Sequence, residues 1–249
     1  MSKDLISRLN EGPVICAEGY LFAMERRGYL QAGAFVPEVV LEHPEVVTQL
    51  HREFIRSGSD VVQAFTYYGH REKLKIIGKE DKLEALQKNA LKIAKDAANE
   101  FPDLDLMIAG NVANTCVYDP NDNSTIAECR KMFEEQVAWA KEAGVDFIMA
   151  ETLSWLEEAK IALKVIKEAD MIAVTNITIH QEAKTRDGYT PEDACKILED
   201  LGSEVVGLNC SRGPKMTMKL LPKMREKVSC HVAALPVPCL LYTSDAADE

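Results

Sequence analysis

Seven short runs rich in Val, Ile, Ala and Met recur along the chain, at residues 13–17, 60–65, 106–110, 146–150, 171–177, 204–209 and 231–237. Between them lie segments of helical periodicity, at residues 37–57, 79–100, 124–143, 154–168, 190–201 and 215–227. The same junction returns three times: Gly58, Gly144 and Gly202 each close a helical pattern and lead through a short polar step into an apolar run. Glycine just past a helix is the residue that accepts the left-handed turn ending it. Thr190-Pro191-Glu192-Asp193 marks a helix start with a capping hydroxyl, a first-turn proline and two acids. Strands that are apolar on both faces and alternate with helices imply a parallel sheet covered on both sides, an α/β fold.

Two architectures satisfy that pattern, a (β/α)8 TIM barrel and an open doubly wound sheet. Glu18, Tyr67, Tyr68, Asn111, Glu151, Asn176 and Cys210 fall at or just past the ends of successive runs. Polar groups contributed by many strand ends to one face are the habit of the barrel, whereas an open sheet gathers them at one switch point. No GxGxxG follows the first run and no GxxxxGK[ST] occurs, so nothing supports a nucleotide-phosphate cradle. The barrel is therefore expected. Seven runs leave it one short, which predicts a barrel truncated before the eighth strand. Residues 1–238 are expected to form this incomplete barrel, and residues 239–249, which follow no earlier βα pattern, a non-native tail.

Composition narrows the function classes. The chain has 249 residues, 47% apolar and 28% charged, with a net charge of −11. This balance excludes a disordered or collagenous chain, and it disfavours nucleic acid or an anionic membrane as partner, since both need a cationic face. No run approaches the ~18 apolar residues of a membrane span, and the N-terminus lacks a signal-peptide core, so a cytoplasmic protein is expected. Seven cysteines without a CxxC do not look like a secreted disulfide framework.

Among chemistry-capable residues, Cys210 ends Val205-Val206-Gly207-Leu208-Asn209. A thiolate there would suit zinc, although a lone strand-end cysteine more often packs as a small apolar residue. Glu151 ends another apolar run, and Glu18-Gly19 follows the first. Two acids on one face would grip an ammonium group, while Gly19 would let a ligand reach backbone N–H groups. Tyr67 and Tyr68 offer aromatic faces to a quaternary ammonium or sulfonium, or else simply pack. The five histidines show no ligand spacing, and residues 71–82 read as a solvated loop and helix start. Glycoside hydrolysis lacks an aromatic platform, and a barrel lyase lacks a strand-end lysine or a carboxylate cluster.

Taken together, Glu18-Gly19-Tyr20-Leu21-Phe22, Arg26-Arg27-Gly28-Tyr29, Glu42-His43-Pro44-Glu45, Leu50-His51-Arg52-Glu53-Phe54, Ala64-Phe65-Thr66-Tyr67-Tyr68 and Gly207-Leu208-Asn209-Cys210 resemble the homocysteine S-methyltransferase family. The likeness runs from about residue 5 to 238 and is greatest to its betaine–homocysteine methyltransferase branch. The resemblance implies a barrel holding zinc through three thiolates, one matching Cys210 and two in a Gly-Gly-Cys-Cys-type pair that this sequence does not contain. It implies that Glu151 binds the homocysteine amino group, that Glu18 and Gly19 lie in a loop closing over it, and that Tyr67, Tyr68 and Phe35 line the donor side. The expected activity is zinc-dependent methyl transfer from a small cationic donor to homocysteine, giving methionine. Homo-oligomers are a further expectation. Thr152 and Phe35 depart from the tyrosine and tryptophan of betaine-using members. This leaves S-methylmethionine or another sulfonium open as donor. With one of three thiolates, the 249-residue chain itself is expected to be metal-poor, poorly folded and inactive, and a non-catalytic barrel fragment is the remaining alternative.

Overall fold

A computed structural model describes residues 3–30, 36–180 and 182–237. The chain divides into two compact units, Met1–Ile148 and Met149–Glu249.

The first unit begins with two short helices, α1 (Leu5–Leu9) and α2 (Tyr20–Arg26). The segment at residues 37–57, expected as one helix, is two: α3 (Val39–Glu42) and α4 (Pro44–Arg56). His43 sits between them at φ −141°, ψ 59°, because the ring of Pro44 excludes the helical conformation from the residue before it. Then follow β1 (Val61–Gln63), α5 (Arg71–Ile76), α6 (Leu83–Asn99), β2 (Met107–Ala113), α7 (Ser124–Ala143) and the start of β3 (Phe147–Leu153). Residues 71–82 were expected as a solvated loop and helix start, and the first half is instead the helix α5; a single buried residue, Leu74, anchors it, too little apolar periodicity to announce a helix. Its core gathers Met24, Val40, Val47, Phe65 and Leu86, all at most 2% exposed.

The run at residues 13–17 was expected as a full strand and is only a parallel bridge, Cys16 to Val61. Ala17 N–H donates to Val61 O and Val61 N–H to Ile15 O, at 3.0 and 3.1 Å. Pro13 has no N–H to extend this ladder. The strands are therefore six, not seven, among the described residues.

The second unit carries the rest of β3, then α8 (Leu156–Glu168), β4 (Ala173–Ile177), α9 (Pro191–Asp200), β5 (Val205–Asn209), α10 (Pro214–Lys227) and β6 (His231–Leu235). Thr190 caps α9 as expected, accepting from Asp193 N–H at 3.3 Å. The start of α8 is capped from a distance: Asp187 accepts from the N–H groups of Leu156 and Glu157 at 3.1 and 3.2 Å.

Pairing is parallel throughout the recorded registers, with Val61 opposite Met107 in the first unit and Asn176–Gly207–Ala233 aligned across β4, β5 and β6 in the second. In neither unit does the strand order reverse. A doubly wound sheet needs such a reversal to make its ligand crevice, so the observed order is that of a βα series winding one way. The three helix-stop glycines behave as expected, at φ 98°, 73° and 98° for Gly58, Gly144 and Gly202. The tail at 239–249 lies outside the described residues, as does Phe35.

Candidate functional site

In the second unit, Asn209 organises the strand ends. Its side-chain oxygen accepts the N–H of Thr152 at 2.7 Å. Its amide nitrogen donates to a carboxylate oxygen of Glu151 at 3.0 Å and to Thr152 Oγ1 at 2.9 Å. Its backbone carbonyl accepts from Thr178 Oγ1 at 2.6 Å. Glu151 is thus a carboxylate only 5% exposed, fixed by a neutral donor at the end of β3. A buried acid is rare unless something satisfies it, and the Asn209 amide is one such partner.

Backbone conformation singles out the same positions. Thr152 and Cys210 have φ of +59°, and Ser211 has +55°. A left-handed residue without glycine costs roughly 1–3 kcal/mol, most for a β-branched side chain such as threonine, and such positions cluster at functional sites. Cys210 N–H donates to Leu235 O at 3.1 Å, which ties the turn carrying the thiol to the end of β6. The close approach expected at Gly207 is internal: an added Cβ would lie 2.3 Å from Ala233 O and 2.4 Å from Asn176 Oδ1. Glycine lets β5 sit against its neighbours.

The first unit carries the other candidates. Gly19 takes φ +84° as the N-cap of α2, and Glu18 precedes it. The phenol of Tyr20 is buried and shares a hydrogen with His51 Nδ1 at 2.9 Å. Burial, then the charge of Glu18, pushes its pKa up. Burial alone pulls His51 down to about 3, so its imidazole is neutral where it meets the Tyr20 phenol. Tyr67 and Tyr68 form a tilted pair with ring centroids 4.3 Å apart, and Tyr68 has φ +57°. One residue went unnoticed in the sequence: Lys73, on α5, places its ammonium 4.1 Å from the centroid of the Tyr68 ring. The spacing of Tyr68 and Lys73 was the available signal, hidden because α5 was not expected.

Cys210 alone does not make a zinc centre, since catalytic zinc takes three protein ligands. Among the described residues no group of three or more His, Cys, Asp or Glu side chains is placed to hold a metal ion. The donor set described therefore does not fit zinc by itself.

Parallel strands alternating with helices define an α/β protein, with the polar side chains of Glu151 and Asn209 meeting where β3 and β5 end in the second unit. The sequence profile of the homocysteine S-methyltransferase family matches residues 19–245. Betaine–homocysteine S-methyltransferase 1 of Sus scrofa is 35% identical over 229 residues, covering 90% of this chain and 80% of the relative. S-methylmethionine–homocysteine S-methyltransferase of Pongo abelii is 33% identical over 225 residues, covering 90% and 59%. Betaine–homocysteine S-methyltransferase 1 of Bos taurus is 35% identical over 257 residues, covering 100% and 62%. The chain belongs to the homocysteine S-methyltransferase family. It spans about three fifths of the length of the Pongo abelii and Bos taurus relatives. The metallated form of the homocysteine methyltransferase MmuM from Escherichia coli shares the fold, with a TM-score of 0.79 at 18% identity over 92% of this chain and 85% of that one. No helix of the described residues is long and apolar enough to cross a membrane.

Proposed function

We propose that this chain binds homocysteine and a small cationic methyl donor, and that its family chemistry is transfer of the methyl group to the homocysteine sulfur. The observation that carries the reading is the buried Glu151 carboxylate, held by Asn209 one residue before Cys210. In this reading the homocysteine ammonium pairs with Glu151, with Glu18 and Gly19 covering the amino acid. Tyr67 and Tyr68 face the donor cation. A thiolate attacking a cationic methyl centre neutralises both charges, so a site shielded from water favours the transition state over the separated ions.

Relatives named for betaine and for S-methylmethionine are nearly equally similar to the chain. Thr152 stands beside Glu151 and offers no ring to cage a bulky trimethylammonium group, which leaves a sulfonium donor as a second reading. Zinc dependence belongs to the proposal as well, with Cys210 as one thiolate ligand. No step is derived through the metal, because the described residues supply only that one.

Calorimetric titration of the 249-residue chain with homocysteine, betaine and S-methylmethionine tests the reading. Binding of homocysteine and of at least one cationic donor is expected; binding of neither overturns it. Metal analysis after dialysis against a chelator tests the zinc expectation. The chain should retain less than one zinc, and stoichiometric tight zinc would contradict a site resting on Cys210 alone.

A further inference from the structure

Beyond the Glu151 cluster, the second unit holds a cleft of about 810 Å³ between the loop after β4 and the turn after Cys210. Lys184, Arg186 and Arg212 line it, with Glu182 as the one carboxylate among the described residues and with Trp155 and Ile179 as apolar wall. Three cations against one acid give an excess of +2, in a chain whose net charge is −11. The cations are also poorly neutralised. Glu182 is 3.8 Å from Lys184, and Asp187 is committed to the start of α8. Arg186 Nε donates to the imidazole of His180 at 3.3 Å rather than to an acid.

Arg212 is the decisive residue. It is only 5% exposed, lines the cleft, and its Nε–H has no hydrogen-bond partner among the described residues. Burying a guanidinium without a carboxylate is costly, and such a group is normally paired or receives a ligand. Opposite it, the backbone around Arg186 is hydrogen-bonded: Thr185 N–H donates to Tyr189 O at 2.9 Å and Arg186 N–H to Ser154 O at 2.8 Å.

We propose that this cleft is a binding site for the carboxylate of a small organic molecule, received by Arg212 and Arg186. A guanidinium fork matches a planar carboxylate with two parallel hydrogen bonds. The apolar wall suits a carbon body attached to it, and Glu182 at the rim opposes a dianion such as phosphate. The site needs neither a metal nor methyl transfer to be occupied.

Trp155 in the cleft supplies the readout. The intrinsic fluorescence of the chain is followed during titration with butyrate, betaine, choline, phosphate and chloride, with Trp155→Phe assigning the signal. A saturable change with butyrate is expected, with betaine joining it if the carboxylate of a zwitterion also enters, and none with choline, which has the cation of betaine and no acid. Arg212→Met should weaken butyrate about ten- to a hundredfold, the worth of charge-assisted hydrogen bonds to one buried group. Arg186→Gln, at a less demanding position, should weaken it several-fold with circular dichroism unchanged, so a folding failure of the Arg212 variant does not decide the question. The proposal is overturned if butyrate gives no saturable change, if Arg186→Gln binds it as the parent does, or if chloride or phosphate competes as well as butyrate.

Discussion

Asn209 explains more of the site than any residue that would touch substrate. With two side-chain donors and one acceptor satisfied, it fixes the Glu151 carboxylate and the left-handed Thr152 at once. The sequence shows Asn209 as a polar strand end able to reach a neighbouring loop. It does not show which loop, because Glu151 lies 58 residues earlier and only the β3–β4–β5 order joins them. Lys73 carries a different lesson. Its ammonium already occupies a face of the Tyr68 ring, so a donor cation must use another face or displace it. Lys73→Gln should tighten binding of a cationic donor by a few-fold, given the ~0.5–1 kcal/mol of an exposed cation–π contact. Calorimetry with betaine and S-methylmethionine checks this; unchanged or weaker binding of both donors would remove Tyr68 from the donor side.

At the scale of elements, the long amphipathic helices and buried strands were legible because their periodicity persists over many residues. The helices α6, α7 and α9 begin and end within a few residues of their sequence patterns, and Thr190 caps α9 as its hydroxyl foretold. The misses are short. The bridge at Cys16 reads as a strand because its apolar run is the same as the others, but Pro13 limits its ladder. The split at His43 is written in Pro44 and was overridden by the continuous apolar face on either side. Gly207 shows how closely β4, β5 and β6 pack. Gly207→Ala puts a methyl group onto a backbone carbonyl of β6, where nothing flexible yields. The change should destabilise the chain by about 1–3 kcal/mol, the usual cost of overpacking. Urea unfolding measures it, and a loss under ~0.5 kcal/mol would mean that β5 and β6 separate easily.

For the molecule as a whole, two buried histidines set an acid limit. Burial lowers His51 from its ordinary 6.5 to about 3, and burial with the nearby Lys73 charge lowers His70 to about 4. Both bind fewer protons folded than unfolded, so the stability they contribute is complete above pH ~6.5 and is lost as pH falls toward 4 and 3. Each should cost roughly 2 kcal/mol by pH 5, since one pKa unit is about 1.4 kcal/mol. The urea midpoint should fall between pH 7 and pH 5, and His51→Gln should flatten part of that slope. A midpoint independent of pH over this range would show that these rings protonate while folded.

Family membership rests on the profile match over residues 19–245 and on relatives up to 35% identical, whereas the proposed chemistry rests on Glu151 receiving an ammonium. That claim has a direct test in calorimetric titration of homocysteine into the chain and into Glu151→Gln, a substitution that keeps shape and removes charge. The account predicts at least tenfold weaker binding in the variant, the loss of one charge-assisted contact in a buried site, with the circular dichroism spectrum unchanged. Equal affinity in the two proteins would contradict it.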